Sequence, residues 1–146
     1  FTPRASAPTI SNAMDVGNPS NFPRMIELFG NSWTDMKSSI NGYSFSDDET
    51  KEIMKDVYEK FGYILDPHGA VAYLGWLAYQ IENPDSIGVI LETAHPAKFG
   101  DSVEKALGRK IDIPEALECL RNKKKVADFI QADYEEFKTF LLAKKR

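Results

Sequence analysis

The stretch Val89 to Gly100 reads VILETAHPAKFG, and its chemistry changes abruptly partway along. An apolar run meets a carboxyl at Glu92, a hydroxyl at Thr93 and an imidazole at His95, followed by Pro96. A turn alone needs none of these groups. A carboxyl can hold or release a proton, an imidazole exchanges protons near neutral pH, and a hydroxyl hydrogen-bonds without changing charge. A second set stands at Asp66-Pro67-His68-Gly69. A third lies in SNAMDVGNPSN, Ser11 to Asn21, with Ala13, Met14 and Asp15 at its centre.

Each set also has a plain reading. Asp66 before Pro67 is an N-cap followed by a first-turn proline. His68 and His95 can be packing or surface imidazoles. Threonine favours strands, which accounts for Thr93 without a ligand. Asn18 and Asn21 suit turns. Asp66, His68, Glu92 and His95 together could ligate a metal, but no helical His-x-x-x-His spacing is present, and no metal is expected. No Gly-x-Ser-x-Gly elbow and no glycine-rich phosphate loop occurs.

The elements that must position these groups follow from periodicity and punctuation. Ala7 to Ala13 is expected as a short strand entering the polar loop. A helix then runs to about Phe29, with Pro23 in its first turn and Gly30 ending it. SFSDDETKEIMKDVYEKFG gives the clearest helix: Ser46 and Glu49 form a capping box, Ile53, Val57, Tyr58 and Phe61 recur at helical spacing, and Gly62 stops it. Tyr63 to Asp66 is expected as a strand, and Asp66-Pro67 starts a helix that Asn83-Pro84 closes. SIGVILET, Ser86 to Thr93, is expected as a strand covered on both faces. Short helices follow at Ser102 to Leu107, with Gly108 after it, and from Pro114. A last helix begins near Asp133, with Phe137, Phe140 and Leu141 on one face. Strands alternating with helices predict an α/β fold, a small parallel sheet with helices packed around it and a helical C-terminal tail. The three polar sets would then gather at the carboxyl edge of the sheet, where such folds bind ligands.

The 146 residues suffice for one domain with its own core, here divided into residues 1–110 and C-terminal helices at 111–146. A net charge of −4 disfavours a nucleic-acid partner, and the clusters at Lys123–Lys125 and Lys144–Arg146 read as solvated helix ends. No apolar run is long enough for a membrane span. Cys119 is the only cysteine and cannot form an internal disulfide, which fits a cytoplasmic location. The chain opens on Phe1 with neither a signal peptide nor a methionine, as expected of a piece of something longer.

Taken in order, SNAMDVGNPSNFPR, DPHGAVAY and ETAHPAKF resemble the C-terminal part of threonine synthase, in its bacterial and fungal branch. The resemblance runs from about Pro8 to Gly108. It implies part of a pyridoxal-phosphate enzyme of the tryptophan synthase β kind (fold type II) that converts O-phospho-L-homoserine and water to L-threonine and phosphate. It implies that the Thr93 hydroxyl faces the pyridine nitrogen of the cofactor, with Ala94 and His95 beside the ring. It further implies that Ala13, Met14 and Asp15 pass on the opposite side, and that Asp66, His68 and Gly69 start the helix behind the pocket. The family's Schiff-base lysine and its phosphate-binding loop have no counterpart in this sequence; Lys98 belongs to the C-terminal motif. The chain alone is therefore expected to be inactive, to need the N-terminal part of the enzyme, and to self-associate through exposed apolar surface. A related dehydratase or phospho-lyase, or a non-catalytic module binding a small anion or a partner, are the alternatives.

Overall fold

The structure is a computed structural model that describes residues 2–11, 16–120 and 122–144. Its regular elements are α1 (Phe22–Leu28), α2 (Trp33–Ser39), α3 (Asp47–Phe61), α4 (Pro67–Glu82), a 3-10 turn at Pro96–Phe99, α5 (Gly100–Leu107), α6 (Glu115–Glu118) and α7 (Tyr134–Ala143). The chain forms two compact units, Phe1–Ile113 and Pro114–Arg146. No helix among the described residues is long and apolar enough to cross a membrane.

The expected small parallel sheet is absent. No described residue lies in a strand or bridge, so the α/β architecture of a tryptophan synthase β-like domain is not what this chain forms. The reason is physical: a strand exists only through a neighbouring backbone about 4.8 Å away. Residues 63–66 and 86–93 make no such ladder, and neither does the described part of 7–13. The two-residue alternation of a strand survives in 89–95 all the same. Ile90, Glu92 and Ala94 are half-buried, while Val89, Leu91, Thr93 and His95 are exposed.

Where signals are local, the helices obey them. The Ser46 side chain accepts from the Glu49 N–H, and the Glu49 carboxylate accepts from the Ser46 N–H at 2.7 Å, completing the capping box of α3. The Ser46 hydroxyl and then the Ser46 N–H, both donating to the Glu49 carboxylate, hold that carboxyl below its usual range. Gly62 and Gly108 end α3 and α5 in the left-handed conformation that a Cβ disfavours. Helix α2, which the periodicity did not suggest, is capped by Ser32, whose hydroxyl accepts from the Asp35 N–H at 3.2 Å.

The core of the first unit is built by α3 packing on both α4 and α5. Met54, Val57, Leu65, Ala70 and Val103 are buried there, with Ile53, Tyr73 and Phe99 packed around them. Burying a side chain the size of Met54 contributes about 1.5–3 kcal/mol. In the second unit, Asp133 caps α7 by accepting from the Glu136 N–H at 2.9 Å, as its spacing predicts. No residue of α7 is buried.

Candidate functional site

The site begins with the cap of α4. Asp66 is fully buried and has extended backbone, so its carboxylate folds back onto the first turn. Its Oδ1 accepts from the His68 N–H at 2.8 Å and lies 2.7 Å from His68 Nδ1. One oxygen thus fixes both the helix start and the imidazole. With the carboxylate ionised, Nδ1 carries the proton and Nε2 is left as an acceptor. The plain reading of Asp66 as an N-cap is correct, and the residue also orients His68.

The edge of the His68 ring meets Phe99, with ring centroids 4.8 Å apart. Phe99 ends the 3-10 turn that starts at Pro96, so this contact ties the 66–69 segment to the one following His95. His95 is exposed, and its Nδ1 accepts from the Ala97 N–H at 3.1 Å, capping that turn. Thr93 is exposed, and its hydroxyl makes no hydrogen bond to a described residue. Ala94 is half-buried between them.

A second tie is made through an empty space. A Cβ built on Gly69 would lie 1.4 Å from Glu92 Oε1, so the Glu92 carboxyl occupies the position that any other side chain at 69 would need. Gly88 does the same for Trp76: a Cβ there would lie 2.5 Å from the indole. These two glycines let residues 88–92 lie directly on α4.

Glu92 is the residue the sequence reading undervalued. In the sequence it stands as a proton-holding carboxyl after an apolar run and as one possible metal ligand; no cluster of acidic, histidine or cysteine side chains suited to a metal is found among the described residues. Burial, and then the neighbouring Asp66 carboxyl, push its pKa from an ordinary 4.5 up to about 7. Asp66 Oδ2, His68 Nε2 and Glu92 Oε1 are all buried without a hydrogen-bond partner. Glu92 also supplies the carboxyl of an otherwise apolar cleft of about 320 Å³, lined by Val57, Phe61, Tyr63, Tyr73 and Ile90 among others.

The structure therefore brings together Asp66, His68 and Gly69 with the segment holding Thr93, Ala94 and His95. It does so through Glu92 and Phe99 rather than along a sheet edge. Ala13, Met14 and Asp15 lie outside the described residues, so their part in the site is not on view.

The comparisons agree with the motifs. Residues 70–141 match the family described as threonine synthase, C-terminal. The chain is 40% identical over 144 residues to threonine synthase of Buchnera aphidicola, covering 99% of this chain and 33% of that protein. The crystal structure of threonine synthase from Escherichia coli superposes with a TM-score of 0.78 at 35% identity, covering 99% of this chain and 33% of that one. A pyridoxal-phosphate-bound threonine synthase from Brucella melitensis superposes with a TM-score of 0.62 at 26% identity, covering 98% of this chain and 36% of that one. The fold is thus similar to one part of these larger proteins. The chain belongs to the threonine synthase family, whose C-terminal part it matches, and it spans about a third of the length of these relatives.

Proposed function

We propose that this chain forms part of the cofactor site of a cytoplasmic threonine synthase that converts O-phospho-L-homoserine and water to L-threonine and phosphate. The observation that carries this reading is the meeting of Asp66–Gly69 with Glu92–His95 in a chain similar along its whole length to threonine synthases. The cofactor is pyridoxal phosphate, which when bound supplies the electron sink that stabilises carbanions of the substrate.

The residues of this chain fit such a group. The Thr93 hydroxyl is exposed and engages no described residue, so it is free to hydrogen-bond a pyridine nitrogen. Being neutral, it does so without holding a proton there, as a carboxylate would. Ala94 and His95 would lie beside the ring, and the Ala97 N–H holds the His95 imidazole. Asp66, His68 and Gly69 back the pocket as the first turn of α4. The lysine that holds the cofactor lies in the N-terminal part of the enzyme, so these 146 residues alone do not turn over substrate.

The N-terminal part is also the natural cover for the exposed row Ile87, Val89 and Leu91. Without it, the isolated chain self-associates through that row.

The test is to give phosphohomoserine to the full-length protein. Threonine and phosphate in equal amounts support the reading, whereas 2-oxobutyrate supports a related lyase instead. Thr93→Ala in that protein is expected to lower kcat by about a hundredfold. An unchanged kcat removes Thr93 from the site.

A further inference from the structure

Two buried carboxyl oxygens without partners, Asp66 Oδ2 and Glu92 Oε1, lie in one cluster and need a common explanation. Asp66 Oδ1 is fully engaged by the His68 N–H and imidazole, while Asp66 Oδ2 has no donor. Glu92 Oε1 sits against the Gly69 backbone with no donor either. Two neighbouring carboxylates repel one another and cannot bond. A single proton on one of them removes the repulsion and supplies the missing donor.

We propose that Glu92 is a positioning residue: carrying a proton, it bonds to Asp66 and clasps residues 92–95 to the first turn of α4. Asp66 keeps the negative charge, because it caps the positive end of the helix and holds His68. Glu92 takes the proton, because burial and the Asp66 charge both disfavour its ionised form. The groups facing Glu92 agree with this. Helix α4 presents Asp66, His68 and Tyr73, residue 63 adds a phenol, and α3 contributes Val57 and Phe61 to the same cleft. Two influences favour ionised Glu92, the Asp66 backbone N–H and then the positive form of His68, and burial with the Asp66 carboxyl outweighs both. The clasp fixes the backbone one residue before Thr93, and so sets where that hydroxyl points.

The test uses the 146-residue chain, with carbon-detected NMR of the Glu92 carboxyl and nitrogen relaxation of the Thr93, Ala94 and His95 amides across pH 5 to 8. The Glu92 carboxyl is expected to titrate near 7. Above that midpoint the three amides become more mobile, as the clasped population falls about tenfold, the size of one charged hydrogen bond. Glu92→Gln, whose amide N–H can donate to Asp66 at every pH, is expected to keep the segment ordered throughout. A Glu92 midpoint near 4.5, amide motion indifferent to pH in the unaltered chain, or a Gln variant as pH-sensitive as the parent overturns the proposal. The first two outcomes need no variant to fold. The bearing on Thr93 rests on the function proposed above, but the titration contains no cofactor. A failed clasp therefore leaves that function standing, and failed turnover leaves the clasp standing.

Discussion

The α3–α4–α5 core and the segment from Ile87 to His95 carry similar apolar content but have opposite fates. In the core, Met54, Ala70 and Val103 have no exposed surface. In the segment, Ile87, Val89 and Leu91 are 97%, 86% and 74% exposed. The core residues find their partners on helices of this same chain. The segment buries only its alternate side, through Ile90 and Glu92, against α3 and α4. Helices satisfy their own backbone and need only a packing face, whereas a stretch without a ladder leaves backbone and side chains to be covered from elsewhere. The chain thus holds one region packed from within and one whose apolar row is left exposed.

The sharpest way to break that contrast is Met54→Ala. It should cost about 2–5 kcal/mol in denaturant unfolding, because a fully buried side chain leaves a cavity. A cost near zero would mean that the core is not what holds the unit together.

Gly69→Ala comes next, with an expected cost of about 1–3 kcal/mol, since the new methyl displaces the Glu92 carboxyl. In a Glu92→Ala background the same change should be neutral or slightly stabilising, because alanine is the better helix residue. Equal costs in both backgrounds would show that Glu92 does not occupy that space. Ser46→Ala should cost about 1 kcal/mol through loss of the capping box, seen as earlier unfolding of α3 without change elsewhere.

The pH dependence sharpens the contrast at the point where the two regions touch. Glu92 has a folded pKa raised to about 7 from 4.5, so folding favours its protonated form. Its contribution to stability is whole below about 4.5 and is lost as pH rises through about 7. Melting curves across that window should show the parent losing stability where Glu92→Gln stays flat. Two parallel profiles would remove Glu92 as the titrating group.

How much was legible in the sequence follows the same division. Ser46, Gly62, Asp66, Gly108 and Asp133 announced helix ends correctly, because a cap acts within four residues of itself. Ser32 with Asp35 was equally readable and starts α2. The strand at Ser86–Thr93 was misread because a near-continuous apolar run suggests cover on both faces, whereas Ile87, Val89 and Leu91 are exposed and no second backbone lies alongside. Ile90, Glu92 and Ala94 turn inward as a strand would predict, yet no ladder forms. The meeting of His68 with the Thr93 segment was expected along a sheet edge and arises instead from Phe99 and the missing side chain of Gly69. Glu92 stayed hidden because its chemistry depends on Asp66, a residue distant in sequence that only folding brings near.

The smallest stability effect tests the exposed row. Replacing Ile87, Val89 and Leu91 by threonine should change unfolding by no more than about 0.5 kcal/mol each, since exposed side chains contribute little to the folded chain. Association should respond far more. If the row meets a second copy in the isolated chain, sedimentation should show the parent self-associating and the triple variant monomeric at equal concentration. In the full-length enzyme the same three changes should weaken the union of this part with the rest and lower Tm, although they leave the isolated core untouched. A variant that stays monomeric like its parent, and leaves the full-length protein as stable as before, would mean that the row faces solvent in both. The contrast between the two regions would then reflect tolerance of exposed apolar residues rather than a need for cover.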